Sequence, residues 1–198
     1  MRKLLAVTAM LLIVSAVPNA RADDANNLYQ ALLSKQFAQM PQGFSSASLG
    51  SMPLQPAAQR AGVIGIAKIT LTGKDTSGEV RYALFSTRQD FEAYARDFSM
   101  PGNPIFFPYF PKANCTSNGN QQACEISDGT VIIMAITRDL TGVHATTAGT
   151  LAKDALEHLR KVRQSIGQPA PPPEACLPWL SAQNPVRDPR AIGVRRFA

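Results

Sequence analysis

The sequence predicts an α+β domain in which an antiparallel sheet of about four strands, in ββα-ββα order, packs against helices. Residues 130–136, TVIIMAI, carry the strongest strand signal in the chain because β-branched residues dominate them. Residues 63–71 and 80–86 are also strand-like, and the turn sequence TGKDTSG joins them as a hairpin. Helical apolar periodicity follows each group of strands, and paired strands alternating with helices are typical of this class.

The first 22 residues have the composition of a signal peptide. Arg2 and Lys3 precede an apolar run over residues 4–17, and residues 20–22 (ARA) form a small-x-small cleavage sequence. The run is shorter than the roughly 18–20 residues that a membrane-spanning helix needs, and an uncleaved interfacial anchor is the alternative. We therefore predict an exported protein, periplasmic or secreted in a bacterium, with at most peripheral membrane contact.

The charge of the chain becomes mild once this leader is set aside. Loss of Arg2, Lys3 and Arg21 from the 20 Lys and Arg leaves 17 basic against 14 acidic side chains, a net charge of +3. A nucleic-acid-binding protein ordinarily shows a stronger basic bias, so no nucleic-acid partner is expected. An exported chain also lies in a compartment that permits disulfides.

An N-terminal helix is predicted for residues 24–40, with Asp24 as its cap and Pro41 as its stop. Its apolar side chains share one broad face at helical spacing. Residues 41–59 are rich in Gly, Ser, Pro and Gln and have no period. They predict a surface loop with a short helical turn near Ala57.

Two further helices follow the strands. Thr87 and Asp90 are spaced like a capping box at the start of one, and its apolar stripe consists of Phe91, Tyr94, Ala95 and Phe98. The other begins at Thr147 or the threonine before it and runs to about Ile166, where Gly167 is a stop signal. We expect the helices to cover one face of the sheet. A ferredoxin-like βαββαβ arrangement is the alternative.

The cysteines Cys115 and Cys124 flank a turn-rich segment and predict a disulfide-bonded hairpin. If residues 119–120 (Gly-Asn) form a two-residue type II′ turn, Cys115 lies opposite Cys124 on a non-hydrogen-bonded pair, where side chains are closest. A turn one residue earlier would place Cys115 opposite Gln122 and prevent the bridge. We therefore predict the Cys115–Cys124 disulfide.

The C-terminal part differs in composition from the predicted α+β domain, residues 23–167. Residues 168–174 (QPAPPPE) predict a polyproline spacer, and residues 175–198 form a basic tail without a period. The tail contains the odd cysteine, Cys176, which is predicted to be an unpaired thiol. Burial beside Trp179, a bond to another chain or partner, and replacement of a hairpin cysteine remain open.

Motifs for catalysis or metal binding are absent from the sequence. It contains no HExxH, no paired CxxC and no GxSxG sequence. His144 is expected in a turn, and His158 on a helix face supported by Asp154 four residues earlier. Asp128, Asp139 and Asp154 are scattered singly and identify no carboxylate pair. We therefore predict no catalytic residue, no metal site and no cofactor.

Residues 100–111 (MPGNPIFFPYFP) are the best candidate for a functional surface. Four prolines argue against a helix or a central strand. The candidate binding residues are the four aromatics Phe106, Phe107, Tyr109 and Phe110. They either plug one end of the sheet or form an exposed surface that recognises a partner, and these interpretations differ in solvent exposure.

Together, these features predict an exported non-enzymatic binding or accessory module for an unknown protein or small-molecule partner. One alternative is a cell-envelope hydrolase with an unrecognised active site. Another is a weak binder of anionic surfaces through the tail arginines, Arg187, Arg190, Arg195 and Arg196. The sequence predicts no oligomeric state.

Overall fold

The structure, a computed structural model, describes residues 19–97, 100, 102–107, 113–139 and 147–169. These residues form seven strands and four helices. In chain order the elements are α1 (Asn19–Ser34), β1 (Ser46–Met52), α2 (Pro56–Arg60), β2 (Val63–Thr72), β3 (Thr76–Phe85), α3 (Arg88–Asp97), β4 (Asn103–Ile105), β5 (Asn114–Asn118), β6 (Gln121–Asp128), β7 (Val131–Asp139) and α4 (Ala148–Ser165).

The described strands form one antiparallel sheet with the order β1-β2-β3-β7-β6-β5-β4. Two meanders, β1–β3 and β4–β7, meet where β3 pairs with β7. The predicted core strand, β7, is therefore the central strand and pairs on both sides. This order does not fit the βαββαβ alternative.

The prediction of about four strands is wrong, although the α+β class is right. β1 lies within the predicted loop 41–59, because its sequence SASLGSM has no apolar period and becomes a strand by pairing along β2. β4 lies within the proline-rich segment, where Pro104 is tolerated because β4 is an outer strand. Both arms of the cysteine hairpin also belong to the main sheet.

Helices pack on both faces of the sheet, so the prediction that they cover one face is also wrong. On the first face, α1 and α4 cover alternate residues of β2, β3 and β7. These first-face residues are Ala67, Ile69, Leu71, Val80, Tyr82, Leu84, Val131, Ile133 and Ala135. On the second face, Phe91 and Ala95 of α3 pack with Val63, Phe85 and Ile132 in a smaller cluster.

Helix α1 differs from the predicted helix at both ends. It begins at Asn19 and ends at Ser34, whereas the sequence pattern predicts residues 24–40. Phe37 continues the apolar spacing beyond the last turn. Its ring packs instead against His158 of α4, with ring centroids 4.8 Å apart. The apolar spacing therefore overestimates the length of the helix, because an apolar residue outside it also contacts the core.

Helix α4 begins as predicted and is attached to β6 near both ends. The side chain of Thr147 caps its N-terminus, and Gln122 Oε1 accepts a hydrogen bond from the backbone nitrogen of Ala148 at 3.3 Å. Near its C-terminus, Arg163 Nη2 donates to the backbone oxygen of Asp128 at 3.0 Å. These contacts fix the position of the helix along the sheet.

The cysteine hairpin has the predicted register, with Cys115 directly opposite Cys124. Gly119 has φ +60°, and no non-glycine residue of the described part has a positive φ. Asn120 therefore fits the second central position of a type II′ turn rather than a type I′ turn. The two cysteine sulfurs are bonded at 2.06 Å.

Removal of this disulfide should lower the free energy of unfolding by about 2–3 kcal/mol, since the bridge restricts the unfolded chain over a sequence separation of 9. Urea unfolding with and without reductant measures the difference. The variant Cys115→Ala/Cys124→Ala is the control, because it retains Cys176 and should be equally stable in both conditions. Equal stability of the wild type with and without reductant would contradict the prediction.

Candidate functional site

The aromatic segment predicted as a binding surface divides between two environments. Phe106 has 69% of its surface exposed, whereas Phe107, the next residue, is partly buried against the main core. The Phe107 ring lies over Gly149 at the start of α4, where a Cβ atom would come within 2.6 Å of its Cδ2. Phe107 therefore packs against α4 and the main core, and Phe106 is left in solvent. Tyr109 and Phe110 lie outside the described residues.

The chain on either side of Phe106 is well supported. Ile105 is opposite Cys115 in the β4–β5 pair and is partly buried against the main core. Cys115 is in turn bonded to Cys124. Since Phe107 anchors the other side, the exposed ring is attached to a backbone that is held at both neighbouring residues.

A second candidate site is a cleft of about 270 Å³ between α4 and residues 37–42, which we call the α4 cleft. Residues at helical spacing share one face of α4 and form that side of the cleft. They are Thr150, Asp154, Glu157, His158 and Lys161. The opposing segment is held by the contact of Phe37 with His158 and by the buried side chain of Phe44, which follows it.

His158 joins the wall of this cleft to the core. Its side chain is 5% exposed, so it is a buried residue on the α4 face that also carries Asp154. Burial lowers the pKa of its imidazole to about 4. A hydrogen bond with the Lys35 backbone raises the pKa, and the charge of Lys161 lowers it. The imidazole is therefore neutral near pH 7. Its Nε2 atom has no hydrogen-bond partner among the described residues.

Asp154 brings a half-buried carboxyl group into the same cleft. Burial raises its pKa, the neighbouring Glu157 raises it further, and Lys153 lowers it. Within the described part of the chain, no ion pair or hydrogen bond engages its carboxylate. The cleft thus combines a carboxyl group that has no ion pair or hydrogen bond among the described residues with a neutral imidazole, while Glu157 and Lys161 lie at its exposed rim.

A third unusual group, Glu125, lies on the second face of the sheet. Its side chain is 6% exposed, and its Oε2 atom has no hydrogen-bond partner in the described ranges. Burial raises its pKa to about 7. Its cross-strand neighbours, Asn114 and Met134, carry no charge that would stabilise the carboxylate. Burial raises the pKa of Tyr94 on α3, and the charge of Glu125 raises it further.

The sequence signals for the cleft and for Glu125 are weak. One wall of the cleft is formed by residues 37–42, and the sequence pattern places residues 37–40 in the first helix instead. Glu125 is an acidic residue between Cys124 and Ile126 in a strand, where alternation places it on the opposite face from both. An acidic side chain at such a position is ordinarily solvated, and burial on that face follows only from the folded sheet.

No family model matches the chain, and neither does any curated protein or solved structure. The disulfide between Cys115 and Cys124 is compatible with export.

The described ranges contain no group of three or more His, Cys, Asp or Glu side chains that suits a metal ion. They also contain no helix long and apolar enough to cross a membrane. His144, Cys176, the tail arginines and residues 1–18 lie outside the part of the chain that the structure describes.

Replacing Glu125 with Gln should change the pH dependence of stability. Folding raises the pKa of Glu125 from 4.5 to about 7. The protonated group therefore contributes its full stability below pH 4.5, and this contribution is lost as the pH rises through about 7. Relative to wild type, Glu125→Gln should gain about 3 kcal/mol in free energy of unfolding between roughly pH 4.5 and pH 8. Urea unfolding across this range measures the gain, and a constant difference would refute it.

His158 should produce the opposite pH dependence. Folding lowers the pKa of His158 from 6.5 to about 4. The neutral imidazole therefore contributes its full stability above pH 6.5, and this contribution is lost as the pH falls through about 4. The variant His158→Phe keeps an aromatic ring beside Phe37 but cannot ionise. Relative to wild type it should gain about 3 kcal/mol between roughly pH 7.5 and pH 4. Parallel unfolding curves for the two proteins would rule this out.

Proposed function

We propose that the protein is an exported, non-enzymatic binding module whose recognition surface is centred on Phe106. The observation that carries the proposal is the 69% exposure of this ring between two neighbours that pack against the main core. The leader composition and the Cys115–Cys124 disulfide support export. The occupant of the surface is then a partner with an apolar pocket that accepts one aromatic ring.

The energetics of such a contact favour binding. Complete burial of a Phe side chain contributes about 1.5–3 kcal/mol, and aromatic anchors in well-packed pockets are typical binding hot spots. Ile105 and Phe107 fix the backbone on either side of Phe106. Association therefore requires little loss of backbone freedom at this point, which lowers the entropic cost of binding.

Recognition through the side chain is favoured over strand addition at this edge. β4 is an outer strand of three residues, Asn103–Ile105, and such a strand exposes few backbone hydrogen-bonding groups. Pro104 also lacks a backbone N–H group, and proline on an edge strand discourages pairing with another chain. The partner is therefore expected to contact Phe106 rather than extend the sheet.

One observation favours the hydrolase alternative. A buried carboxyl group with a pKa near 7, as at Glu125, is the kind of perturbation that catalytic acids show. If this alternative holds, a hydrolase screen of the mature protein should detect an activity that Glu125→Gln removes. An activity that persists in the variant, or a flat screen, would leave Glu125 as a buried structural group. The other alternative, weak binding of anionic surfaces through the tail arginines, concerns residues outside the described ranges.

Two adjacent substitutions test the binding proposal. Phe106→Ser should change the free energy of unfolding by less than about 0.5 kcal/mol, because the ring is in solvent, but should weaken partner binding by roughly tenfold or more. Phe107→Ser, the matched control, should destabilise the fold by about 1–3 kcal/mol because its ring packs against the core. Urea unfolding measures stability, and native mass spectrometry of protein isolated from its cell measures partner retention.

The outcomes separate the two interpretations of this segment. Unfolding of Phe106→Ser would assign the ring to the core. Full retention of partners by a folded Phe106→Ser variant would remove Phe106 from the binding surface.

A further inference from the structure

The α4 cleft is a small cavity whose lining suits a ligand of a few heavy atoms. Its volume of about 270 Å³ is slightly below the usual range for ligand pockets, roughly 300–1,000 Å³, so only a small ligand fits. It lies on the first-face side of the molecule between two elements that are each held in place, α4 by β6 and residues 37–42 by Phe37 and Phe44. The cleft therefore does not depend on one mobile side chain.

The charged groups of the cleft favour a cationic ligand. Asp154 is half-buried and has no partner in the described residues, and Glu157 adds a second carboxylate at the rim. Lys161 is the positively charged residue of the lining, and its side chain is exposed to solvent. Lys35, on the chain just before the cleft, donates from Nζ to Ser165 Oγ at 2.6 Å. A ligand cation beside Asp154 would supply the missing partner for a partly desolvated carboxylate.

His158 adds no charge to the cleft wall that would repel a cation. Its side chain is 95% buried, it is neutral near pH 7, and its Nε2 atom has no partner within the described ranges. The ring of Phe37 packs against it at 4.8 Å and also lines the cleft. An aromatic surface of this kind contacts alkyl groups and attracts cations through its π face.

We propose that the α4 cleft binds a small ligand that carries a primary ammonium group on a short alkyl chain. The ammonium group pairs with Asp154, with Glu157 as the second carboxylate, and the alkyl chain lies along Phe37. An ammonium ion fits this lining better than a metal ion because the described residues contain no group of three metal-ligating side chains. This site is separate from the Phe106 surface and does not depend on it.

Titration with n-butylammonium, followed by amide NMR shifts of the oxidised protein near neutral pH and low salt, tests the proposal. Binding with a Kd in the millimolar range is expected for so small a ligand, with shifts confined to residues 37–42 and α4. The neutral analogue 1-butanol should bind roughly tenfold more weakly, and butyrate more weakly still. No n-butylammonium binding, or equal binding of 1-butanol, would overturn the proposal.

Variants locate the site and its charge preference. Asp154→Asn should weaken n-butylammonium binding by roughly tenfold, while Lys161→Ala should strengthen it because an opposing charge is removed. Glu92→Gln is the matched control, since it makes the same charge change on α3 at the other face of the sheet and should leave the affinity unchanged. Retention of full affinity by a folded Asp154→Asn variant would overturn the proposal.

The Phe106→Ser variant separates this proposal from the function proposed above. It should bind n-butylammonium like wild type, even if it loses its partner. Loss of both activities in this folded variant would show that the two sites are one surface and would contradict the separation inferred here.

Discussion

The packing of α4 across the sheet is the interaction on which both candidate sites depend. Ten residues of the helix are buried, and its ends are attached to β6 through Gln122 and Asp128. Gly149, near the start of α4, accommodates Phe107 and so leaves Phe106 exposed, while the face of the same helix that carries Asp154 and His158 forms one wall of the α4 cleft. A shift of α4 along the sheet would change the exposure of Phe106 and the shape of the cleft together. The position of this helix therefore matters more than the local sequence of either site.

Burial moves ionisable groups toward their neutral forms on both faces of the sheet. On the first face, His158 lies between Phe37 and Tyr82, with ring centroids 4.8 and 6.0 Å away, and its pKa falls to about 4. On the second face, the pKa of Glu125 rises to about 7. The resulting pH dependences of stability have opposite signs over the range in which both groups titrate. The two contributions therefore partly cancel in the pH dependence of the wild-type free energy of unfolding. Burial also raises the pKa of Asp128, and the charges of Arg163 and Arg160 offset only part of that rise.

The sequence predicts those elements whose pattern and packing agree. Apolar alternation identifies β2 and β3, and the pairing constraint of two cysteines fixes the β5–β6 register. β1 was missed because SASLGSM gains its strand conformation from hydrogen bonds with β2 rather than from β-branched or alternating side chains. β4 was missed because proline argues against a strand, although an outer strand tolerates it. The α4 cleft was missed because Phe37 continues a helical period beyond Ser34 and packs on a different helix.

The aromatic segment shows why composition alone could not define a binding surface. Phe106 and Phe107 are adjacent and chemically identical, and in extended chain adjacent side chains point in opposite directions. The segment itself does not decide which ring is buried. That choice depends on Gly149 in α4, because a Cβ atom there would occupy the position of the Phe107 ring. Phe106 is mostly in solvent, so core packing among the described residues gives no reason for a large apolar side chain at this position. A contact with another molecule would supply that reason, and the binding proposal rests on this argument.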